Sequence, residues 1–119
     1  MTSATTKLRT FLAAEVVLFA LASLLHRGVI AHGFQHARAA VAEGIIAVVL
    51  AIGLAINVYS PSEARPATLW TQGFALVGVG VGLAMILIGV GPRTGLDYGI
   101  HAVMALTLIT GLMLAKRAR

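Results

Sequence analysis

A chain of 119 residues in which 59% are hydrophobic and only 11% charged has a mean hydropathy of +0.95, whereas an ordinary soluble domain is roughly one-quarter charged. This excludes a water-soluble globule and a disordered chain, and 13 Gly with no three-residue period exclude collagen. The lack of cysteine excludes disulfides, Fe–S clusters and thiolate metal sites. The net charge of +5 arises beside apolar blocks, without interleaved aromatics, so it fits anionic lipid headgroups and not nucleic acid.

Four apolar runs are long enough to cross about 30 Å of hydrocarbon at 1.5 Å per residue. The first covers about 8–30. Lys7 and Arg9 ahead of it imitate a signal peptide, but Glu15 interrupts the apolar region, so it reads as a retained span. A His32-Gly33-Phe34 turn leads to the second run, about 35–58, and a polar loop over 59–66 to the third, about 67–91. Pro92-Arg93-Thr94-Gly95 then precedes the fourth, about 96–115. A spanning segment satisfies its own backbone hydrogen bonds only as a helix or a closed barrel, and no alternation of period two suggests strands. With connections this short, the sequence predicts one all-α domain over 1–119, an integral membrane four-helix antiparallel bundle.

Lys7, Arg9, Arg65, Lys116, Arg117 and Arg119 fall on one side, against Arg27, Arg38 and Arg93 on the other. The excess predicts both termini and the middle loop in the cytoplasm. Trp70, Tyr59 and Tyr98 lie near span ends, as interfacial anchors do. In lipid, helices associate by close approach of small residues. Ala75, Gly78, Gly82 and Gly89 on the third span, and Ala47, Ala51 and Ala55 on the second, are the predicted contact strips.

Ionisable groups inside a span cost roughly 2.5–3.5 kcal/mol each on insertion scales, so each one needs a reason. Glu15 and His26 are eleven residues apart, which at 100° per residue puts them within about 20° on one face. His36 and Glu43, seven apart, share a face of the second span, and Asp97 and His101 are i, i+4 neighbours on the fourth. His26, His36, Glu43, Asp97 and His101 therefore lie in the half nearer the outer surface, with His32 in the adjoining turn. Glu15 and Gln72 lie in the inner half.

Three chemistries suit this pattern. Imidazoles with a carboxylate are first-choice ligands for a divalent metal, for which His26, His36, Glu43 and His101 are the candidates, and His26, His36 and His101 are the candidates for axial ligation of a haem. No compact H-x-x-H, H-E-x-x-H or E-x-x-H motif accompanies them. A carboxyl in low dielectric disfavours its charged form, so Glu15 or Glu43 could exchange a proton, with Gln72 as the partner of Glu15. Asp97 is also placed to cap the fourth helix. No hydrolase constellation surrounds Ser23, Ser60 or Ser62, and Gly78-Val79-Gly80-Val81-Gly82 lies inside a span and not after a strand, so the sequence carries no enzyme motif.

Chain length, four spans and Ala14-Glu15-Val16 in the first together resemble the small multidrug resistance exporters, where a first-helix glutamate exchanges protons for a cationic drug. The resemblance implies a proton-coupled role for Glu15 alone. Spans two to four depart from it, because His36 and Glu43 have no counterpart and aromatics are only 6%. The stretches Gln72-Gly73-Phe74-Ala75-Leu76 and Gly89-Val90-Gly91-Pro92-Arg93-Thr94 are similar to segments of small bacterial membrane proteins, which implies a bacterial plasma-membrane location but no activity. The expectations are thus a metal- or haem-binding redox or accessory subunit, a proton-coupled small-molecule transporter using Glu15 or Glu43, or a structural subunit. Each is set in a homo-oligomer or larger membrane complex.

Overall fold

The computed structural model describes residues 3–91 and 93–118. Pro92 of the predicted last turn and Arg119 of the charge bias lie outside them. Four helices, α1 (Ser3–His26), α2 (Ala37–Tyr59), α3 (Ala64–Leu87) and α4 (Gly95–Arg117), pack as an up-down bundle, with a 3₁₀ turn at Pro61–Glu63 before α3. Each helix packs against its sequence neighbours and α1 closes against α4. At 24 residues α1 is about 36 Å long, and all four helices are long and apolar enough to cross a membrane.

The helix ends have local causes. α1 and α3 each stop four residues before the predicted limit because Gly28 and Gly89 adopt φ of +77° and +94°. Each sits one residue past the helix cap. The Gly28 and Val29 N–H groups donate to Leu25 and Leu24 carbonyls, and those of Gly89 and Val90 to Ile86 and Met85, the Schellman pattern that satisfies the last carbonyls. α3 begins earlier than predicted because Pro66 falls in its first turn, where the missing N–H would have had no partner. α2 starts at His36, whose Nδ1 accepts the Ala39 N–H, and α4 at a capping box made by Thr94 and Asp97. Basic side chains close three C-terminal ends: Arg9 donates to the Asn57 carbonyl, Arg93 to Ile86 and Arg65 to Ala115.

At mid-height Leu12, Phe19, Leu50, Ala75, Met104 and Leu108 form a solid plug. Outside it the usual distribution is inverted. Val17, Leu21, Val48, Ile52, Val77, Val81, Leu106 and Met113 are exposed along the helices, while Glu15, His26, Glu43, Asn57, Gln72, Asp97 and His101 are buried. Water would penalise both halves of that arrangement, and hydrocarbon around the bundle penalises neither.

The small-residue strips are only partly where the spacing placed them. Ala75, Gly78 and Gly82 sit on the contact face of α3: a Cβ on Gly78 would stand 2.7 Å from Ile46 Cδ1. Gly89 instead belongs to the turn. On α2, Ala47 is buried but Ala51 is half-buried and Ala55 exposed. Steps of four drift about 40° each, whereas the buried face follows Ala40, Glu43, Ala47, Leu50, Gly53 and Asn57. The close approaches absent from the sequence reading are Gly53 against Thr71 and Gly111 against Gln72.

Candidate functional site

His26 is the last residue of α1, Glu43 lies two turns into α2 and Asp97 in the first turn of α4, so the antiparallel turns deliver all three to one end of the bundle. The imidazole lies between the carboxylates, with Nδ1 2.8 Å from Glu43 Oε2 and Nε2 3.3 Å from Asp97 Oδ1. All three side chains are buried. A carboxylate only accepts, so with both ionised each ring nitrogen donates and His26 is an imidazolium. If the proton between Nδ1 and Oε2 moves to Glu43, the ring becomes neutral with no change in net charge. Either way the triad carries one negative charge.

The second oxygens differ in their surroundings. Asp97 Oδ2 accepts from the Thr94 N–H at 2.9 Å and from the Thr94 hydroxyl. Glu43 Oε1 is buried and has no hydrogen-bond partner, a costly state for a carboxylate oxygen. Glu43 lines a cavity of about 200 Å³ whose wall is mostly α2 and α3, with Phe19 of α1 and Met104 of α4 also on it. The capping expectation for Asp97 is met by the Thr94 pair, and its direct contact with His26 is additional.

His101 does not pair with the Asp97 side chain. Its Nδ1 donates to the Asp97 backbone carbonyl at 2.8 Å, so in the neutral ring Nε2 is an acceptor. It faces Gly82, whose added Cβ would stand 3.0 Å away. Because His36 Nδ1 accepts the Ala39 N–H, the neutral His36 ring carries its proton on Nε2, 3.5 Å from the Cβ position of Gly91. His32 is exposed and meets Gln35 in the turn.

The structure therefore brings His26, His36, Glu43 and His101 to the walls of one cavity. A metal or haem does not fit this donor set well. Both nitrogens of His26 already face carboxylates and the His36 Nδ1 lone pair is taken by the Ala39 N–H, so of the three only His101 offers a ring nitrogen, and among the described residues no three His, Asp or Glu side chains form a group that could hold a metal ion.

Glu15 and Gln72 meet as their depths suggested, the Gln72 amide donating to both carboxylate oxygens at 2.9 and 2.8 Å. They do not line the cavity, so the three residues grouped as a relay, Glu15, Glu43 and Gln72, separate into a pair and a lone glutamate. Sequence reasoning also passed over Asn57, whose amide faces the Gly53 and Ala64 carbonyls and the Thr68 hydroxyl. A buried-face asparagine near a span end was the available signal. No family model, curated protein or solved structure matches the chain.

Proposed function

We propose that this is an integral membrane protein, with its termini in the cytoplasm, that binds a small molecule in the α2–α3 cavity and exchanges a proton with it through Glu43. This is the core of a proton-coupled carrier. The observation that carries the reading is the division of labour at Glu43, a residue that lines the cavity: Oε2 is held by the His26–Asp97 couple, while Oε1 is buried and unpartnered. A free carboxylate oxygen in low dielectric accepts either a proton or a ligand's hydrogen-bond donor, and occupancy by one excludes the other. That competition is the elementary requirement for coupling.

Asp97 has a positioning role. It fixes the ring of His26 from the far side, as the carboxylate of a Ser-His-Asp triad orients its imidazole. His26 in turn holds Glu43 in one rotamer and stabilises its charge. Glu15 is assigned a structural role, since both its oxygens are occupied by Gln72.

Acid-minus-alkaline infrared difference spectra of the protein in lipid nanodiscs test this without a ligand. A carboxyl band that appears on acidification, shifts with ¹³C-glutamate labelling and disappears in Glu43→Gln but persists in Glu15→Gln is the expected result. A spectrum unchanged by Glu43→Gln would remove Glu43 as the proton-exchanging group.

A further inference from the structure

The cavity wall specifies both a route of entry and a ligand head. Its rim is made by Ala42 of α2 and by Val81 and Met85 of α3, all of which are exposed on the outer flanks of their helices. Ala39, Gly78 and Gly82 keep the facing walls low. The opening thus lies between two helices whose exposed residues at the rim are apolar apart from Arg38 in the first turn of α2, so below that residue it gives onto hydrocarbon in a bilayer.

Two of the buried groups on the wall are left as acceptors. Glu43 Oε1 has no donor, and in a neutral ring whose Nδ1 donates to a carbonyl His101 Nε2 is an acceptor. The donors left lie at the edges: His36 Nε2 beside Gly91 and the exposed Arg38 guanidinium. A ligand completing this site brings its own hydrogen.

A charged ammonium could supply one, but it would have to leave water, cross hydrocarbon and pass Arg38 on the rim, and an isolated ion is far more costly to desolvate than a hydroxyl. The neutral donor is favoured. Phe19, Met85 and Met104 on the walls suit an aromatic body, since thioethers and ring edges pack well on aromatic faces. A volume of about 200 Å³ is below the usual ~300–1,000 Å³ of drug-sized sites, which limits the enclosed part to one or two rings.

We propose that the α2–α3 cavity is a lateral portal site that takes a membrane-dissolved phenol, its hydroxyl donating to Glu43 Oε1. The inference rests on the Glu43 reading above and adds the ligand's chemistry and path.

The experiment compares 2-naphthol with 2-methoxynaphthalene, which has the same aromatic body without a donor, in nanodiscs containing the full chain. Binding is read by saturation-transfer NMR and by probe fluorescence against empty nanodiscs. The expected result is saturable naphthol binding at least about tenfold tighter than that of the ether, the scale of one hydrogen bond to a charged acceptor. Glu43→Leu should bring the two probes to within about twofold. Ala42→Phe and Val81→Trp, on exposed positions that leave the core untouched, should weaken naphthol binding about tenfold with helical circular dichroism unchanged.

Equal affinity for the ether, or no saturable binding of naphthol, overturns the phenol assignment. Undiminished binding in both portal variants overturns the lateral route. Because the infrared test needs no ligand, proton exchange at Glu43 without naphthol binding would sink this inference alone, and naphthol binding without proton exchange would sink the coupling alone.

Discussion

Replacing Asp97 by alanine separates its two jobs, because each oxygen has its own partners. Oδ2 takes the Thr94 N–H and hydroxyl in the capping box, and Oδ1 takes His26 Nε2. Losing an N-cap interaction costs about 1 kcal/mol, so Thr94→Ala, which strips the box but leaves the His26 contact, should cost about that much. Cross-helix hydrogen bonds in membrane proteins average ~0.6 and reach ~1.7 kcal/mol, and bonds to charged groups run at about 1.5–3 kcal/mol. The 3.3 Å separation favours the lower part of that range. Asp97→Ala should therefore cost about 2–3 kcal/mol, roughly a tenfold larger shift in the unfolding equilibrium than Thr94→Ala. Reversible unfolding in bicelles on adding SDS, followed by helical circular dichroism, measures both. In a His26→Ala background the extra cost of Asp97→Ala should vanish, as a double-mutant cycle requires of a direct contact. If Asp97→Ala is no worse than Thr94→Ala, and shows no coupling to His26, Asp97 is a helix cap and the triad is not a unit.

Other perturbations read different parts of the bundle. Gly111→Ala pushes a methyl into the Gln72 amide, which Glu15 pins in place, so about 1–3 kcal/mol should be lost. Gln72→Leu strips Glu15 of its donor at a cost of about 1–3 kcal/mol, whereas Glu15→Leu with Gln72→Leu should recover most of it; the same bicelle assay reports all of these. Gly28→Ala must hold φ near +77°, at about 1–2 kcal/mol, and its methyl also meets the Gln35 side chain. Gly33→Ala, with φ +93° and open space around it, should cost only the backbone term. Zn²⁺ titrated into the purified protein should leave the ¹⁵N resonances of His26 unmoved, because both nitrogens of that ring face carboxylates; a Zn²⁺-dependent shift of His26 would reverse the donor assignment.

The helix count, the bundle class and the end of the bundle that gathers the histidines were legible because they rest on run length and on the 100° step, which tertiary packing does not change. Glu15 with Gln72 was legible for a related reason: two polar groups at one depth in lipid have few other partners. The early stops of α1 and α3 were missed because apolar residues continue through Val29 and Ile30 and through Ile88 and Val90, and hydropathy outweighed the Gly28 and Gly89 signals. The pairing of Asp97 with His26 crosses from α4 to α1, at 71 residues' separation, and no local periodicity encodes which of several nearby imidazoles a carboxylate meets. The cavity was illegible because it depends on how side chains fill the space between α2 and α3, as Ile46 does against Gly78.

The central claim is that His26 is held from both sides while Glu43 keeps one buried oxygen unpaired, and ¹⁵N-histidine NMR of the bilayer-embedded protein addresses it most directly. Glu43→Gln should move the Nδ1 resonance of His26 and leave Nε2 nearly in place, and Asp97→Asn should do the reverse. A His26 ring indifferent to both substitutions would contradict the arrangement and, with it, the case for Glu43 as the group that trades a proton for a ligand.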